Sequence, residues 1–483
     1  MTPFRRARSV AGLARSGRLP LAPILLLLAV AGCLPEEPDA TLLIRGGTLI
    51  DGTGVDPVAD ANVVIDGERI VCAGPAAECE ARDPLRTLDA SGRWITPGLI
   101  DAHVHFSQSG WIDARPLTAG RPVDERYEAA IDTLRRNPQR AYRAMLCSGI
   151  TAVADVGGYG WSVELREGAE ADSLAPRIAA AGPLLTFIRY PLVYRGENQM
   201  VTLTDSASVR AAVERLAAPQ LDFIKLWYIV DPRRGVDSAV ARHLARFAAE
   251  EVDRRGVPLA VHATGLWEAR HAVEIGADVL VHSVFNDPVD DDFLRSARES
   301  GVIYTPTVAV REGYIYMRHG AFPRDRHDLR CADPGVVESW ARWAAERDEE
   351  PGAARRAAEE EILDGQRLTL DNLRRVHAAG IPVATGTDSG NPMTLHGASI
   401  LREMELMRQG GMTAMDVLVA TTRNGARVMG RADELGTLEE GKLADLLVLG
   451  DDPLESLDAF ERIEWVVRGG VAHLRSDLLP GAD

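Results

Sequence analysis

The amino-acid sequence predicts an α/β protein: a (β/α)8 TIM barrel with a small composite β-sandwich domain built from the N- and C-terminal segments. Three observations predict it. Eight short apolar runs alternate with amphipathic helical text between residues 97 and 430. Glycine-punctuated strand text flanks that region on both sides. Finally, His103, His105, Lys225, His262, His282 and Asp388 each stand at the C-terminal end of an apolar run, the edge where barrels carry their chemistry.

A chain of 483 residues has room for one large domain with an accessory domain. Its 46% hydrophobic and 26% charged content is that of an ordinary globular protein. The formal net charge is −17, and no basic cluster stands outside the N-terminus. Nucleic acid is therefore excluded as an expected partner.

Residues 1–33 predict a signal peptide rather than part of the fold. The first 20 residues carry five arginines and no acid, and LAPILLLLAVAG follows as an apolar stretch too short to span a membrane. Val30-Ala31-Gly32-Cys33 resembles a bacterial lipobox, which implies lipidation of Cys33; an ordinary signal with an incidental cysteine is the alternative. Without those arginines the charge falls from −17 to −22, which favours a body tethered to the membrane by its lipid over one adsorbed on anionic lipid. The expected location is the periplasmic face of a membrane. Leu34 after Cys33 departs from the enterobacterial inner-membrane retention signal, which favours the outer membrane.

Residues 34–96 read as short strands, TLLIRGGTLIDG, ANVVIDGERIVCAG and TLDASGRWITPG, with turns expected at Gly46-Gly47 and Asp66-Gly67 and an antiparallel arrangement. Cys72 and Cys79 lie close enough to bridge a loop in an exported protein, or stand as two thiols. Cys147 and Cys331 complete the set outside the signal, and no cysteine has zinc-knuckle spacing.

Residues 97–430 carry the barrel. Its strand runs are GLIDAHVHF, TAVADVG, RIAAAG, DFIKLW, PLAVHA, VLVHSV, VIYTPTV and PVATGTD. The last two are separated by a long charged helical insertion, residues 310–380, interrupted at Pro351-Gly352. It is read as a lid or pocket wall, with a solvated helical decoration as the alternative. Residues 431–483 return to strand text in GTLEEGKLADLLVLGDD and IEWVVRGGVAHL, available to complete the terminal β domain.

The chemistry starts from His103 and His105. Two apart on a strand, they point to one side and present two imidazoles to one ion. His262 and His282 are the other histidines at strand exits. His243, His271 and His377 fall in helical text and are expected to be solvated. His319, His327, His396 and His473 lie in loops, the insertion or the terminal domain, with His396 near enough to the eighth run to touch substrate. Asp388 can bind a metal and carry a proton, or cap the following helix.

Lys225 is the diagnostic residue. In FIKLW its ammonium is costly to bury, and neighbouring cations depress its pKa further. A neutral amine there can take up carbon dioxide and become a carbamate, a bidentate oxygen ligand. The alternative is an ammonium paired with Asp388 or with a substrate carboxylate.

Together these residues resemble the metal-dependent amidohydrolase superfamily in its binuclear, carbamylated-lysine form. PGLIDAHVHF, GITAVADVGG, the lysine of DFIKLW, the histidines of VHA and VHS, GTDSG, MTAMDVLVATTRNGARVMG and GTLEEGKLADLLVLGDDPL match its pattern in order. The nearest groups are the prolidase-like and imidazolonepropionase-like enzymes. The resemblance implies two divalent ions, zinc before manganese, iron or cobalt. His103, His105 and Asp388 would hold one, His262 and His282 the other, with Lys225 bridging. It implies hydrolysis of a C–N bond by a metal-bridging hydroxide, with Asp388 shuttling the proton. YIVDPRRG after the lysine departs from the small Gly-rich turn of the prolidase-like members.

The loops after the third, fourth and seventh runs hold arginines and tyrosines. Arg189, Arg195, Arg233 and Arg311 suggest a carboxylate-bearing substrate, such as a dipeptide or N-acyl amino acid. Tyr228 is a candidate for polarising the carbonyl. A homo-oligomer is compatible with the sequence. Three other readings stand beside this one: a mononuclear deaminase or cyclic-amidase-like enzyme, with His282 as acid–base; a lactonase or phosphotriesterase-like esterase; and a non-catalytic metal-binding lipoprotein.

Overall fold

The computed structural model describes residues 40–481, apart from residues 82, 112–124, 191, 219–220, 322–327 and 346–350. The signal segment 1–33 and His327 lie outside the described residues. Among the described residues, no helix is long and apolar enough to cross a membrane.

The chain opens with five strands: β1 (Leu42–Leu49), β2 (Val58–Asp66), β3 (Arg69–Pro75), β4 (Thr87–Asp89) and β5 (Trp94–Pro97). Asp66-Gly67 starts the tight turn from β2 to β3, with Gly67 in the left-handed region at φ 55°. Gly46-Gly47 is not a turn. It sits inside β1, where the pairing with β2 shifts register between Ile44 and Gly47, so the glycines make a bulge. Nor is the unit purely antiparallel, because β4 and β5 both run parallel to β1.

The central region carries β6 (Leu99–Val104), β7 (Ile150–Asp155), β8 (Arg177–Ala180), β9 (Leu184–Thr186), β10 (Val193–Tyr194), β11 (Glu197–Asn198), β12 (Met200–Thr202), β13 (Ile224–Trp227), β14 (Leu259–His262), β15 (Val279–Val281) and β16 (Ile303–Thr305). They form two parallel sheets, β6-β7-β8 and β12-β9-β13-β14-β15-β16, rather than one closed ladder. The third run breaks at Gly182-Pro183 into β8 and β9. The eighth run, residues 382–389, pairs only through isolated bridges: Tyr304 to Val383 on one side and Val104 to Ser389 on the other. Its backbone still lies between β16 and β6, since Tyr304 N donates to Pro382 O at 2.8 Å and Asp388 N to His103 O at 2.8 Å. Gly386 permits that approach, because a Cβ there would stand 2.5 Å from Thr305 Cγ2 and 2.7 Å from His103 Cβ.

Alternation along these strands sorts two layers. Ala152, Ala154, Ala179, Phe223, Ala260, Val279 and Val281 pack together inside. Val153, Ile178, Ile224, Leu226, Val261 and Leu280 face the surrounding helices. The helix Ser238–Asp253 shows why such helices form: Asp237 caps it by accepting from Val240 N at 2.9 Å, and Ala241, Leu244, Ala245, Ala248 and Val252 bury one face.

The insertion comprises helices Val308–His319, Pro334–Ala345 and Pro351–Ala378. Pro351 begins the last of these rather than interrupting a longer one, which suits a residue without an N–H. The chain ends with β17 (Leu446–Leu449), β18 (Ile463–Arg468) and β19 (Val471–Leu474). β17 pairs with β5, so strands from both ends share one eight-stranded sheet of order β19-β18-β17-β5-β1-β2-β3, with β4 on β1. Arg177 on β8, fully buried, ties that sheet to the parallel strands, with Nε 2.8 Å and Nη2 3.3 Å from the two Asp445 oxygens. All four cysteines outside the signal are paired, Cys72 with Cys79 and Cys147 with Cys331. The second pair joins the end of helix Gln139–Cys147 to the insertion.

Candidate active site

All six strand-end residues line one cavity of about 430 Å³. Asp388 is its hub. Its Oδ1 lies 3.2 Å from His103 Nε2 and 3.0 Å from His105 Nε2, and its Oδ2 lies 3.8 Å from His282 Nδ1. The two Nε2 atoms of His103 and His105 are 3.3 Å apart. The His262 ring packs edge-on against His282, centroids 4.2 Å apart. His103, His282 and Asp388 form a buried cluster with ligand atoms within 4.8 Å of one another.

Local backbone aims two of these side chains. Val279 and Val281 point inward from β15, so simple alternation would turn His282 outward. His282 instead has φ 76°, a left-handed conformation rare outside glycine, and its ring joins the cavity. Asp388, at φ 60°, is similarly constrained. His105 Nδ1 donates to Gly157 O at 2.6 Å, which fixes the ring with Nε2 turned toward Asp388. His282 Nδ1 lies 2.6 Å from Thr307 Oγ1.

Burial sets the charges. It pushes the His103 imidazole down to about 3, against the pull of Asp388. Burial, then the neighbouring His262, holds His282 well below its usual value. Burial raises the Asp388 carboxyl, but His103 and His105 outweigh it and hold the group well below the usual carboxylate range. The Lys225 amine is pushed down to about 7 by burial, with Asp388 opposing. Lys225 Nζ and His103 Nδ1 are buried with no hydrogen-bond partner. Neutral imidazoles, an ionised carboxylate and an orphaned amine converging on one point are the donor set of a divalent metal site, and the residues fit one.

The remaining sequence candidates separate. Arg311 lines the cavity. Arg189 is exposed and lines no part of it. Arg195 is paired with Asp132 at 2.7 Å, and Arg233 with Asp231 at 3.1 Å, both in solvent. His396 is buried beside the site, with Nε2 donating to His105 O at 3.1 Å, but it lines a neighbouring cavity. Tyr228 does not reach the cavity. Alternation along β13 sends Lys225 and Trp227 inward and Tyr228 outward, where its hydroxyl lies 2.8 Å from His271 Nδ1. His271 is therefore buried rather than solvated.

Three residues, Trp227, Phe285 and Asn391, are not foreseen from the sequence, whereas Tyr314 stands in a loop expected to line the pocket. Trp227 and Phe285 form apolar walls of the cavity. Tyr314 donates to Asn391 Oδ1 at 2.7 Å, and Asn391 Nδ2 donates to Asp388 Oδ1 at 2.6 Å. Asn391 follows Asp388 by three residues across Gly390, a spacing that could have flagged it.

Solved structures share this fold. A Xaa-Pro dipeptidase with bound methionine in its active site aligns with TM-score 0.66 at 24% identity, covering 90% of this chain and 99% of the other. Molinate hydrolase aligns with TM-score 0.67 at 24% identity, covering 91% and 96%. Among curated proteins, the imidazolonepropionase of Rhizorhabdus wittichii is 28% identical over 433 residues, 82% of this chain and 90% of the relative. That of Methylobacterium sp. strain 4-46 is 29% identical over 427 residues, covering 84% and 91%. The sequence model of the Amidohydrolase family matches residues 94–472, most of the chain. With that match, the parallel strands and the buried His-Asp cluster, the chain belongs to the amidohydrolase family and is a hydrolase acting on C–N bonds.

Proposed function

We propose that this chain is a binuclear metal-dependent amidase that cleaves the C–N bond of a dipeptide or N-acyl amino acid. His103, His105 and Asp388 would hold one ion and His262 and His282 the second, with Lys225 joining them as a carbamate formed from its neutral amine and carbon dioxide with release of one proton. Zinc suits the histidine-rich set. When bound, the ions supply Lewis acidity to the scissile carbonyl and to water. The chain's own residues do the rest. Asp388 takes the proton from the attacking water and delivers it to the leaving nitrogen. Leu184, Met200, Trp227 and Phe285 wall the cavity with apolar surface suited to an acyl or side-chain group.

The observation that carries this reading is Asp388 Oδ1 within 3.2 Å of both His103 and His105 Nε2 in a cavity that Lys225 Nζ enters without a partner. A panel of dipeptides, N-acyl amino acids, lactones and phosphotriesters tests it. Amide cleavage that is lost on chelation and in Asp388→Asn supports it. Turnover confined to lactones or phosphotriesters would favour the esterase reading instead.

A mononuclear reading has its own support, since among the described residues the tight group consists of His103, His282 and Asp388. There His282 would act as acid–base and Lys225 would bind no metal. Metal content separates the two readings. Export as a lipoprotein is also inferred. Two disulfides suit an oxidising compartment, and Cys33→Ser should move the protein from the membrane fraction to the soluble one.

A further inference from the structure

Four arginines stood out in the sequence as candidates for holding a carboxylate, and one of them occupies a built seat in the cavity wall. Arg311 lies on the insertion helix Val308–His319, half-buried. Its Nη1 donates to Gly365 O at 2.8 Å and approaches Thr369 Oγ1 at 3.4 Å, both on the helix Pro351–Ala378. Its guanidinium carbon lies 5.3 Å from the centre of the Phe285 ring. The seat depends on Gly365: a Cβ there would stand 2.6 Å from Nη2 and 3.0 Å from the guanidinium carbon. Glycine inside a helix is less stable than alanine, so this position gives up helix stability to admit the guanidinium.

The platform is rigid. Glu312, next to Arg311, is held by Arg402 Nη2 at 2.7 Å and by Gln366 Nε2 at 2.6 Å. Glu403 caps the first turn of the same helix, accepting from Val308 N at 2.9 Å and Ala309 N at 2.7 Å. The guanidinium itself is not neutralised. Among the described residues no carboxylate lies within ion-pair distance of Arg311, and its Nε and Nη2 donate no hydrogen bond. Glu361, which acts on it through space, is engaged by Arg318 and by His319 Nε2 at 2.7 Å. Arg318 lines the same cavity but is spent on that pair.

We propose that Arg311, seated against Gly365 and Phe285, is the receptor for the free carboxylate of the substrate and selects N-acyl amino acids or dipeptides with an apolar residue at that end. This deepens the amidase reading and rests on it. A guanidinium with donors to spare, in an apolar cavity, binds a carboxylate through charge-assisted hydrogen bonds and rejects a neutral isostere, which leaves those donors unpaired. The insertion is then a specificity wall rather than a solvated decoration.

The test uses the metal-loaded full chain and two unreactive probes, 3-phenylpropionate and 3-phenylpropanol, titrated calorimetrically. The carboxylate is expected to bind roughly 10- to 100-fold more tightly than the alcohol. Arg311→Ala is expected to erase the preference and Arg311→Lys to keep part of it. Gly365→Ala should weaken it with Arg311 still present and the helix intact. Equal binding of the two probes, binding of neither, or a preference that survives Arg311→Ala overturns the proposal; the last would mean that the metal site alone holds the carboxylate. A kinetic arm compares acetate release from N-acetyl-L-phenylalanine and from its carboxamide. If neither is cleaved while the binding preference follows Arg311, the amidase reading fails and the carboxylate receptor stands.

Discussion

Asn391 Nδ2 donates to Asp388 Oδ1 at 2.6 Å and to the Asp388 carbonyl at 3.0 Å, so one side-chain amide clamps both ends of the residue that is to carry the proton. The Tyr314 hydroxyl donates to Asn391 Oδ1 at 2.7 Å and fixes which way that amide points. The insertion helix is thereby joined to the Asp388 carboxylate, and Gly313 lets it press close, since a Cβ there would meet Pro392 O. If Asp388 shuttles the proton as proposed, Asn391 is a positioning residue. Asn391→Ala is expected to lower kcat about 10- to 100-fold with metal content and KM nearly unchanged. Tyr314→Phe should cost only several-fold. Steady-state kinetics with metal analysis of each variant checks this, and loss of metal in Asn391→Ala would place the residue in metal retention instead.

The Glu403 cap is expected to make stability depend on pH. Burial pushes its carboxyl up to about 8, against the opposing hydrogen bonds from Ala309 N and Val308 N. The folded chain then keeps a proton that the unfolded chain releases near 4.5. Stability from this group is complete below that value and is lost as pH rises toward 8, by up to about 5 kcal/mol. Urea unfolding midpoints should therefore fall between pH 5 and pH 8, and Glu403→Gln should flatten the slope. An unchanged slope in the variant would assign the dependence to other groups.

The Cys147–Cys331 disulfide closes a loop across 184 positions and anchors the insertion to the barrel. Replacing both cysteines by alanine is expected to cost about 2–5 kcal/mol. The Cys72–Cys79 bridge spans only 7 positions and should cost less. Thermal unfolding of the two double variants gives the comparison, and an equal or reversed order would contradict it.

Much of this was legible in the chain because polar side chains inside apolar runs have few bland explanations. His103, His105, Lys225 and His262 could be placed by strand ends alone. His282 and Asp388 could be singled out, but their aim depends on a left-handed backbone that alternation does not foresee. The arginines could not be sorted, since Arg195 and Arg233 find their carboxylates only once Asp132 and Asp231 are positioned. Arg311 owes its distinction to Gly365, 54 positions away. Tyr228, a candidate for polarising the carbonyl, faces away from the cavity because Lys225 three residues earlier sets the opposite parity. His271 looked solvated because its helix is charged, yet it lies on the buried face. Gly46-Gly47 reads as a turn in one dimension and is a bulge in a paired strand.

Lys225, as a carbamate, is the residue that would make the proposed site binuclear. The most direct test of this is the number of metal ions per chain in active enzyme, measured as the metal is titrated back into chelated protein. Activity is expected to saturate at two ions per chain, and Lys225→Ala is expected to retain at most one and lose activity. Full activity at a single ion, with metal content unchanged in Lys225→Ala, would contradict it and favour the mononuclear site built on His103, His282 and Asp388.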